Sequence, residues 1–434
     1  MMRFRTIPFL FWLLLGAAFS ASAQDTLTVM QYNLLYYGNY NTSYYSCFET
    51  NNNTQRKDEC IRTIMGYVKP DIFTVNEFGA TDALLENFIS HNLNTGSIDY
   101  WRSDSRINHA NSQIVNHLFY DSRKLELKKH VALRTSPRDT DVYELYLKTP
   151  SLAIGDTIKL VCIVAHLKAG LSDESRRYTA LKIAMDYVNE NYPTDNVLIM
   201  GDFNMYSSSE SGYRLLTQTY PNQEICFIDP LASVGGVGSW SENSQFAAYH
   251  TQATHYHSEE CFVGGGLDDR FDFILMADEI NFGYKGLRYV RNSYKAVGND
   301  GRHFNHDIDF NGNTSVPAAV LDALFDGSDH LPVTMKMAVD GKLGLYESEA
   351  AWQASIAPNP ASTTAQIHFV NPNEGEVVIS LYSLQGQKVA YQSKSFAAGW
   401  QQTEIDLNDV APGFYMLRIS TSEGMCQTLK LIVK

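Results

Sequence analysis

The stretch Val197-Leu198-Ile199-Met200-Gly201-Asp202-Phe203-Asn204 decides the fold, because an apolar run ends abruptly in a carboxylate and an amide. Four apolar residues bounded by turn formers predict a buried strand at residues 197–200. That strand would deliver Asp202 and Asn204 to its C-terminal end, where open α/β sheets bind their ligands. Taken alone, Asp and Asn after a strand are more often turn residues. The interpretation therefore depends on the other strands of the chain.

Five further predicted strands also carry a polar side chain at or near one end. The apolar periodicity of residues 61–68, 81–92, 173–191 and 211–219 predicts helices between them, with Ser172 as the N-cap of the third. Strands that alternate with helices favour an α/β domain with sheets buried under helices. The polar residues are Asn33 in the strand at 26–34, Glu77 after 72–75, His166 after 157–165, Asp272 within 271–276, and Asp329 with His330 before 331–337.

Both ends of the chain differ in composition from its middle. Residues 1–23 combine two arginines, an apolar run and Ala-Ser-Ala, which is typical of a signal peptide. A transmembrane anchor is disfavoured because the run is shorter than the roughly 20 residues that span a bilayer, and no other stretch is long enough. From about residue 346, a proline-rich break leads into period-2 runs separated by turns. We predict an α/β domain at 24–345, a linker at 346–355 and a small all-β sandwich at 356–434.

The formal net charge of −14 lies almost entirely before residue 350. A broad surface that tracks nucleic-acid phosphates is therefore not expected, and a nucleic acid would need a local basic patch or metal ions. The basic residues that can supply such a patch are Lys168, Arg176, Arg177, Arg270 and Arg302.

Six cysteines are available for disulfides in an exported protein. Cys47 and Cys60 flank a polar insertion and are the first predicted pair. Cys226 with Cys261 is the second. Cys162 lies within an apolar strand, which predicts a buried thiol.

Ionisable residues at nearly every strand end indicate chemistry rather than turns. The carboxylates of Glu77, Asp202 and Asp329 offer the oxygen ligands that Mg²⁺ or Mn²⁺ prefers. An amide such as Asn33 or Asn204 can bind phosphoryl oxygens without adding negative charge. This set favours hydrolysis of a phosphate ester, in which a metal ion neutralises the phosphoryl group and orients the attacking water.

A histidine paired with a carboxylate keeps one tautomer. Asp272 with His330 is therefore a candidate dyad for acid–base chemistry or for contact with a phosphate. Zinc is less expected, because the sequence has no His-x-x-x-His or Glu-x-x-His ligand spacing.

Six motifs follow one another along the chain: Tyr32-Asn33, Glu77, Ala165-His166-Leu167, Gly201-Asp202-Phe203-Asn204, Arg270-Phe271-Asp272-Phe273-Ile274-Leu275 and Ser328-Asp329-His330-Leu331-Pro332-Val333. In this order they resemble the endonuclease/exonuclease/phosphatase superfamily, whose fold is that of deoxyribonuclease I. The resemblance covers residues 26–339. It implies a four-layer α/β/β/α sandwich and a divalent-metal-dependent hydrolase.

The resemblance also implies a metal site. Glu77 would bind the metal with help from Asp329, and Asn33 would assist nearby. Two positions depart from the pattern: Asn76 stands where many members have Gln, and Leu35 stands where some have a metal-binding Asp. The second departure leaves the number of metal ions open.

The remaining matched residues acquire catalytic roles from the same resemblance. Asp202 and Asn204 would position or deprotonate the water and hold the phosphate. His330, oriented by Asp272, would face the scissile phosphate. His166 would be a second phosphate contact or an acid.

The tail carries its own motifs: Pro358-Asn359-Pro360, Ile379-Ser380-Leu381-Tyr382-Ser383-Leu384-Gln385-Gly386-Gln387-Lys388, Gly413-Phe414-Tyr415 and Lys430-Leu431-Ile432-Val433-Lys434. They are similar to the C-terminal sorting domain of the type IX secretion pathway in Bacteroidota. The resemblance implies export across the outer membrane by that machinery, with removal or surface attachment of the module. Without it, a carbohydrate-binding or adhesion-type β-sandwich would be the alternative.

The segment Asp307-Ile308-Asp309-Phe310-Asn311-Gly312 matches the first half of a calcium loop. Ala318 stands where that loop needs a bidentate Glu. A plain polar loop is the favoured interpretation, and a structural Ca²⁺ is the alternative.

The sequence thus predicts a secreted phosphodiester hydrolase that depends on Mg²⁺ or Mn²⁺, in the first place a nuclease acting on extracellular DNA or RNA. One alternative is the same chemistry on a sphingomyelin or inositol-phosphate head group, which tyrosines in residues 36–45 keep open. Another is a non-catalytic surface-binding protein. The mode of cleavage and the oligomeric state do not follow from the sequence. The predicted catalytic residues are His166, Asp202, Asn204, Asp272 and His330, the substrate-binding residues are Asn33, Asn204 and Arg270, and the metal ligands are Glu77, Asp329 and Asn33.

Overall fold

The computed structural model describes residues 25–39, 47–149, 157–220, 223–232, 238–259, 261–340, 354–371, 374–383, 387–421 and 426–434. The predicted signal peptide, most of the predicted linker and most of the tyrosine-rich segment lie outside the described residues.

Thirteen strands and six α-helices make up the described part of the first domain. The strands are β1 (Thr26–Tyr37), β2 (Ile72–Gly79), β3 (Trp101–Arg102), β4 (Ile114–Asp121), β5 (Leu125–Leu133), β6 (Thr140–Leu147), β7 (Lys159–His166), β8 (Val197–Asp202), β9 (Phe227–Ile228), β10 (Asp272–Ala277), β11 (Leu287–Tyr289), β12 (Lys295–Ala296) and β13 (Val333–Val339). The helices are α1 (Thr54–Val68), α2 (Asp82–Phe88), α3 (Glu174–Asn191), α4 (Ser211–Thr217), α5 (Asp278–Phe282) and α6 (Ala318–Gly327).

These strands form two mixed sheets. The first has the order β11-β13-β1-β2-β4-β3, with β12 also paired to β13, and the second has the order β5-β6-β7-β8-β10-β9. Each sheet contains a parallel pair, β1 with β2 and β7 with β8. The remaining pairings of both sheets are antiparallel.

Three apolar clusters stack the sheets and helices into four layers. Strand residues alternate between faces, so that Cys162 and Val164 of β7 pack toward the first sheet while Val161 and Ile163 pack toward α3. The cluster between the sheets joins β1 and β13 to β7, β8 and β10. The outer clusters bury α1, α2 and α6 on the first sheet and α3 and α4 on the second. The four-layer α/β/β/α sandwich expected from the resemblance is therefore confirmed.

Several predicted elements are shifted or extended by local chemistry. Ser172 is not the N-cap of α3, because Leu171–Asp173 forms a 3-10 turn and Asp173 takes that position without a side-chain hydrogen bond. The helix predicted at 81–92 ends at Phe88 and continues as a π turn, Ile89–Leu93. Helix α6 was not predicted.

Residues 354–434 form a small domain of antiparallel sheets. Its strands are β14 (Ser355–Ala357), β15 (Thr364–Asn371), β16 (Gly375–Ser383), β17 (Lys388–Phe396), β18 (Gly399–Asp406), β19 (Gly413–Thr421) and β20 (Cys426–Val433). A three-stranded sheet, β14-β15-β18, and a four-stranded sheet, β17-β16-β19-β20, enclose an apolar core. The predicted all-β sandwich is confirmed.

The disulfide joins Cys47 to Cys261, 214 residues further along the chain. Both predicted pairs are therefore wrong. Cys60 lies within α1 beside Gly327 of α6 and is a buried free thiol. Cys226 is also a free thiol, and Cys162 is the buried thiol that the sequence predicts.

No helix in the described part of the chain combines the length and the apolar character needed to cross a membrane.

Candidate active site

The polar strand ends of both sheets meet at one edge of the sandwich. Strand register places His166 of β7 opposite Asp202 of β8, and Asp202 opposite Asp272 of β10. In the first sheet, Asn33 of β1 lies opposite Asn76, the residue before Glu77. The sandwich thus brings side chains from distant parts of the sequence into one cluster.

Gly201 allows β7 and β8 to approach closely at this edge. Its φ is +144°, and a Cβ atom at this position would lie 1.8 Å from the carbonyl oxygen of Ala165. Only glycine fits such a position. The glycine before Asp202 is therefore required by the packing of the two strands.

Asp202 lies at the centre of the cluster and is almost fully buried. Its Oδ1 accepts hydrogen bonds from the main-chain N–H of Asn204 (3.0 Å) and from Asn204 Nδ2 (2.9 Å). Its Oδ2 accepts a hydrogen bond from Asn33 Nδ2 (3.0 Å). Burial raises the pKa of Asp202 to about 7, and Glu77 and Asp272 add to the effect. The carboxyl group therefore changes charge close to neutral pH.

Glu77 and Asn33 come from the first sheet. Glu77 has a φ of +57°, a strained conformation for a non-glycine residue, and its Oε2 accepts the main-chain N–H of Tyr36 (3.0 Å). Burial raises the pKa of Glu77, and Asp329 adds to this. Asn33 donates from Nδ2 to Glu77 Oε1 (3.3 Å), while its Oδ1 accepts the N–H of Leu35 (3.0 Å).

Asn33 was predicted to be both a metal ligand and a substrate contact, and both remain predictions. In this structure its amide oxygen accepts a main-chain N–H, and its amide nitrogen faces the carboxylates. Only the oxygen of an amide can bind a cation.

His166 lies between the two carboxylates. Its Nε2 is 3.3 Å from Asp202 Oδ2 and 3.7 Å from Glu77 Oε1. Burial lowers the pKa of His166 well below its usual value, and the positive charge of Arg138 adds to this effect. The imidazole is therefore neutral and offers a lone pair, as a metal ligand must.

His330 pairs with Asp272 as the sequence predicts, with 2.7 Å between His330 Nδ1 and Asp272 Oδ2. Burial opposes a charge on His330. The Asp272 carboxylate and the charge of Asp202 outweigh this effect and raise the pKa of His330 well above its usual value. Its Nε2 points into the cluster, 3.5 Å from Asn33 Nδ2 and 3.8 Å from Asp202 Oδ2.

Asp329 lies beside the cluster, and one of its two carboxylate oxygens has no hydrogen-bond partner among the described residues. Its Oδ2 accepts the N–H of Val263 (3.3 Å), whereas its Oδ1 is buried with no hydrogen-bond partner among the described residues. A buried carboxylate oxygen without a donor costs free energy. A cation at this place would satisfy it.

The residues present fit a divalent metal ion. Glu77, His166 and Asp202 each offer a ligand atom, and these atoms lie within 4.8 Å of one another. Two crowded carboxylates with raised pKa values and a neutral imidazole form a donor set that a cation would stabilise. The predicted metal ligands, Glu77, Asp329 and Asn33, share only Glu77 with this group, which adds His166 and Asp202.

Arg270 does not belong to the cluster. Its guanidinium is buried and binds Asp229 through Nη1 (2.8 Å) and Nη2 (2.9 Å). It also stacks on Phe273, with 4.2 Å between its Cζ and the ring centroid. Because these groups occupy the guanidinium, we do not retain Arg270 as a substrate-binding residue.

Two more of the basic residues are engaged elsewhere. Arg177 is buried and donates from Nε to Glu210 Oε2 (2.9 Å). Arg176 forms an exposed ion pair with Asp173. In the segment that matches the first half of a calcium loop, Asp307 accepts the main-chain N–H of Tyr256 (2.6 Å).

Two functional neighbours were missed by the sequence reasoning. The amide of Gln252 lies 2.8 Å from His330 Nε2, in a stretch without a recognisable pattern. Lys57 is buried in α1 and donates to the carbonyl oxygens of Leu34 (2.7 Å) and Leu35 at the end of β1. Burial lowers the pKa of Lys57 to about 7, although Asp329 and Glu77 act in the opposite direction. Lys57 precedes the helix predicted at 61–68 but continues the spacing of Ile61 and Ile64, and this spacing was the available signal.

Residues 355–434 match the family model described as the secretion system C-terminal sorting domain. The resemblance of the tail is thereby confirmed. Such a domain directs type IX secretion, so the protein is secreted or attached to the cell surface. A search of the curated proteins finds no match.

Solved structures similar to this chain include an endonuclease/exonuclease/phosphatase from Bacteroides vulgatus, which is 13% identical, with 73% of this chain and 100% of that chain covered and a TM-score of 0.46. The human Nocturnin catalytic domain with bound sulfate is 14% identical, with coverages of 73% and 97% and a TM-score of 0.43. TDP2 from D. rerio, complexed with a single strand DNA product, is 11% identical, with coverages of 73% and 100% and a TM-score of 0.41.

Proposed function

We propose that this protein is a secreted, divalent-metal-dependent phosphodiester hydrolase that cleaves nucleic acid. One observation carries the proposal: Asn33 and Glu77 of one sheet lie within contact distance of His166 and Asp202 of the other. A buried neutral histidine, a charged histidine and a carboxyl group that titrates near neutrality make up an acid–base site.

Each side chain has a proposed task. Glu77 and His166 would hold the metal ion, which when bound neutralises the phosphoryl group and orients the attacking water. Asp202 would accept the proton of that water, because its pKa of about 7 suits a general base. His330, kept protonated by Asp272, would donate from Nε2 to a phosphoryl oxygen as negative charge develops.

Nucleic acid is the proposed substrate because aromatic side chains are exposed on a loop that contacts Asp329 and on a second loop hydrogen-bonded to the first, through Ile308 N–H and the carbonyl oxygen of Thr254 (2.9 Å). The loop that provides the Val263 N–H to Asp329 also exposes Tyr256, which is 46% accessible. Phe310, 44% accessible, stacks on His306 with 4.5 Å between ring centroids. Unpaired bases stack on such rings, whereas an acidic protein offers few phosphate contacts. We therefore expect a single-stranded substrate and a weak dependence on salt.

A substrate panel tests the proposal. Single-stranded DNA, RNA, plasmid DNA, sphingomyelin and inositol phosphates would each be incubated with Mg²⁺, Mn²⁺, Ca²⁺ or EDTA. We expect nucleic acid to be cleaved with Mg²⁺ or Mn²⁺ and EDTA to abolish cleavage. Asp202→Ala should lower kcat by about 10³-fold, the scale of lost general-base catalysis. Glu190→Ala, an exposed carboxylate on α3, is the matched control.

Two outcomes would contradict this assignment. Cleavage that is insensitive to EDTA would exclude the metal mechanism. Hydrolysis of sphingomyelin or inositol phosphates without cleavage of nucleic acid would support the proposed hydrolysis of a phosphate ester but would exclude nucleic acid as the substrate.

A further inference from the structure

A chain of buried side-chain hydrogen bonds runs beneath the candidate active site, from β5 to the end of β8. His130 Nε2 lies 3.1 Å from Asp141 Oδ1, and Asn116 Nδ2 donates to Asp141 Oδ2 (3.0 Å). Asn76 Nδ2 then donates to Asn116 Oδ1 (2.8 Å). The last bond runs from the main-chain N–H of Asp202 to Asn76 Oδ1 (2.8 Å).

The hydrogen bonds of this series all point in one direction, which Asp141 sets together with the main-chain carbonyl of Asp139, a second acceptor for Asn116 Nδ2 (3.0 Å). An ionised carboxylate only accepts hydrogen bonds, so Asn116 must turn its NH₂ group toward Asp141. The Asn116 oxygen then faces Asn76, whose NH₂ group must turn toward it. The oxygen of Asn76 is thereby directed at the main-chain N–H of Asp202.

Asn76 has little freedom to turn in another way. Its oxygen also accepts a hydrogen bond from Gln31 Nε2 (2.7 Å), and both Asn76 and Gln31 are fully buried. A reversed amide would set its NH₂ group against two N–H donors. Each such unpaired buried group costs about 1 to 3 kcal/mol.

This series of hydrogen bonds also connects the two sheets next to the candidate active site. Asn76 and Asn116 belong to β2 and β4 of the first sheet, whereas Asp141 and Asp202 belong to β6 and β8 of the second. Glu77 follows Asn76 directly. The same bonds therefore fix the end of β2, which carries Glu77, against the end of β8.

We propose that Asn76, Asn116 and Asp141 are positioning residues that hold Glu77 in place against the end of β8, which carries Asp202. This inference rests on the proposed function in taking Glu77 as a ligand of the metal ion. Residues that orient metal ligands typically affect metal affinity 10- to 100-fold without touching the ion.

The test compares two buried acids of β6 in the full chain. Asp141→Asn keeps the shape of the side chain. It replaces a carboxylate, which only accepts hydrogen bonds, with an amide that can present either its oxygen or its NH₂ group to Asn116. Glu144→Gln is the matched control, because Glu144 is also buried but bonds Tyr192 (2.9 Å) outside the chain of bonds. Asn116→Ser breaks the same chain one step closer to the site.

Two readouts do not depend on any substrate. Hydrogen exchange of the peptide that contains Asp202 should be about fivefold faster in Asp141→Asn and Asn116→Ser than in Glu144→Gln, the equivalent of one lost hydrogen bond. Mn²⁺ titrated by electron paramagnetic resonance should bind these two variants about tenfold more weakly than it binds Glu144→Gln.

The inference is overturned if exchange at Asp202 and Mn²⁺ affinity are the same in Asp141→Asn as in Glu144→Gln. It stands if both change, even where no phosphodiester in the substrate panel is cleaved. Its failure and the failure of the proposed function are therefore distinguishable.

Discussion

Two buried ion pairs involve Arg270 and Asp272, which are two positions apart in the sequence. The pairs differ in how fully their carboxylates are hydrogen-bonded. Arg270 pairs with Asp229, and Asp272 pairs with His330. All four side chains are at least 95% buried. The contrast between the pairs separates a group that holds the fold from a group that can react.

In the Arg270–Asp229 pair, here called the saturated pair, both carboxylate oxygens are fully hydrogen-bonded, although Arg270 Nε is buried with no hydrogen-bond partner among the described residues. Two parallel bonds join the guanidinium to the carboxylate, which also accepts the hydroxyl of Tyr213 (2.8 Å) and the N–H of Leu231 (2.9 Å). Burial would raise the pKa of Asp229, but Arg270 and these donors lower it. No capacity of the carboxylate remains for a substrate.

The Asp272–His330 pair, here called the open pair, keeps one carboxylate oxygen unused. A single contact joins its partners, and Asp272 Oδ1 is buried with no hydrogen-bond partner among the described residues. His330 Nε2 lies 2.8 Å from the amide of Gln252 and also faces Asn33 and Asp202. A structural ion pair uses its donors and acceptors internally, whereas a reactive pair keeps some of them directed at the site.

Removing the open pair should affect catalysis far more than stability. His330→Gln deletes the proton donor but leaves an amide of similar length beside Asp272. We expect kcat to fall by about 10³- to 10⁴-fold, and the loss of stability to be smaller than in Arg270→Met because the new amide can still donate a hydrogen bond to Asp272. If His330→Gln instead destabilised the protein and left kcat of the folded fraction unchanged, the Asp272–His330 pair would be structural rather than catalytic.

Removing the saturated pair should have the opposite outcome. Arg270→Met leaves the Asp229 carboxylate buried without its cation, which typically costs about 3 to 5 kcal/mol of unfolding free energy. Urea titration measures this loss, while kcat of the folded fraction should be unchanged within about twofold.

A double variant serves as the control. Asp229→Leu combined with Arg270→Met removes both buried charges and should recover part of the lost stability. If Arg270→Met lowered kcat instead and left unfolding unchanged, Arg270 would return to the site as a substrate contact.

The sequence alone predicted the Asp272–His330 pair but not the Arg270–Asp229 pair. Asp272 and His330 each border an apolar strand, so local pattern placed both at the same edge of the sheet. Arg270 carried the same local signal. Its partner Asp229 lies in a stretch without periodicity, and nothing nearby in the sequence indicated that a buried carboxylate would occupy the guanidinium.

The same limit applies to the rest of the site. Strand ends and their polar residues follow from local alternation, which is why Asn33, Glu77, His166 and Asp202 were expected together. The orientation of Asn33 and the contact of Gln252 with His330 depend on which groups meet across the sandwich. Such long-range pairings have no local signature, and the Cys47–Cys261 disulfide was mispaired for the same reason.

Asp268 is a third aspartate that can be compared with Asp229 and Asp272. It faces other carboxylates rather than a cation. Burial raises the pKa of Asp268 to about 7, and Asp269 and Glu242 add to this. Because the folded state then binds a proton more tightly than the unfolded chain, stability should fall as the pH rises from about 4 to about 7.

Asp268→Asn removes this titration. The variant should match the parent protein near pH 4 and exceed it by about 1 to 2 kcal/mol near pH 8, less than the full shift because the carboxyl is partly solvated. Urea unfolding in EDTA across this range measures the difference. Asp300→Asn is the control of opposite sign, because the hydrogen bond from His303 lowers the pKa of Asp300 despite partial burial. A constant difference between Asp268→Asn and the parent protein at all pH values would show that charge repulsion at Asp268 does not oppose folding.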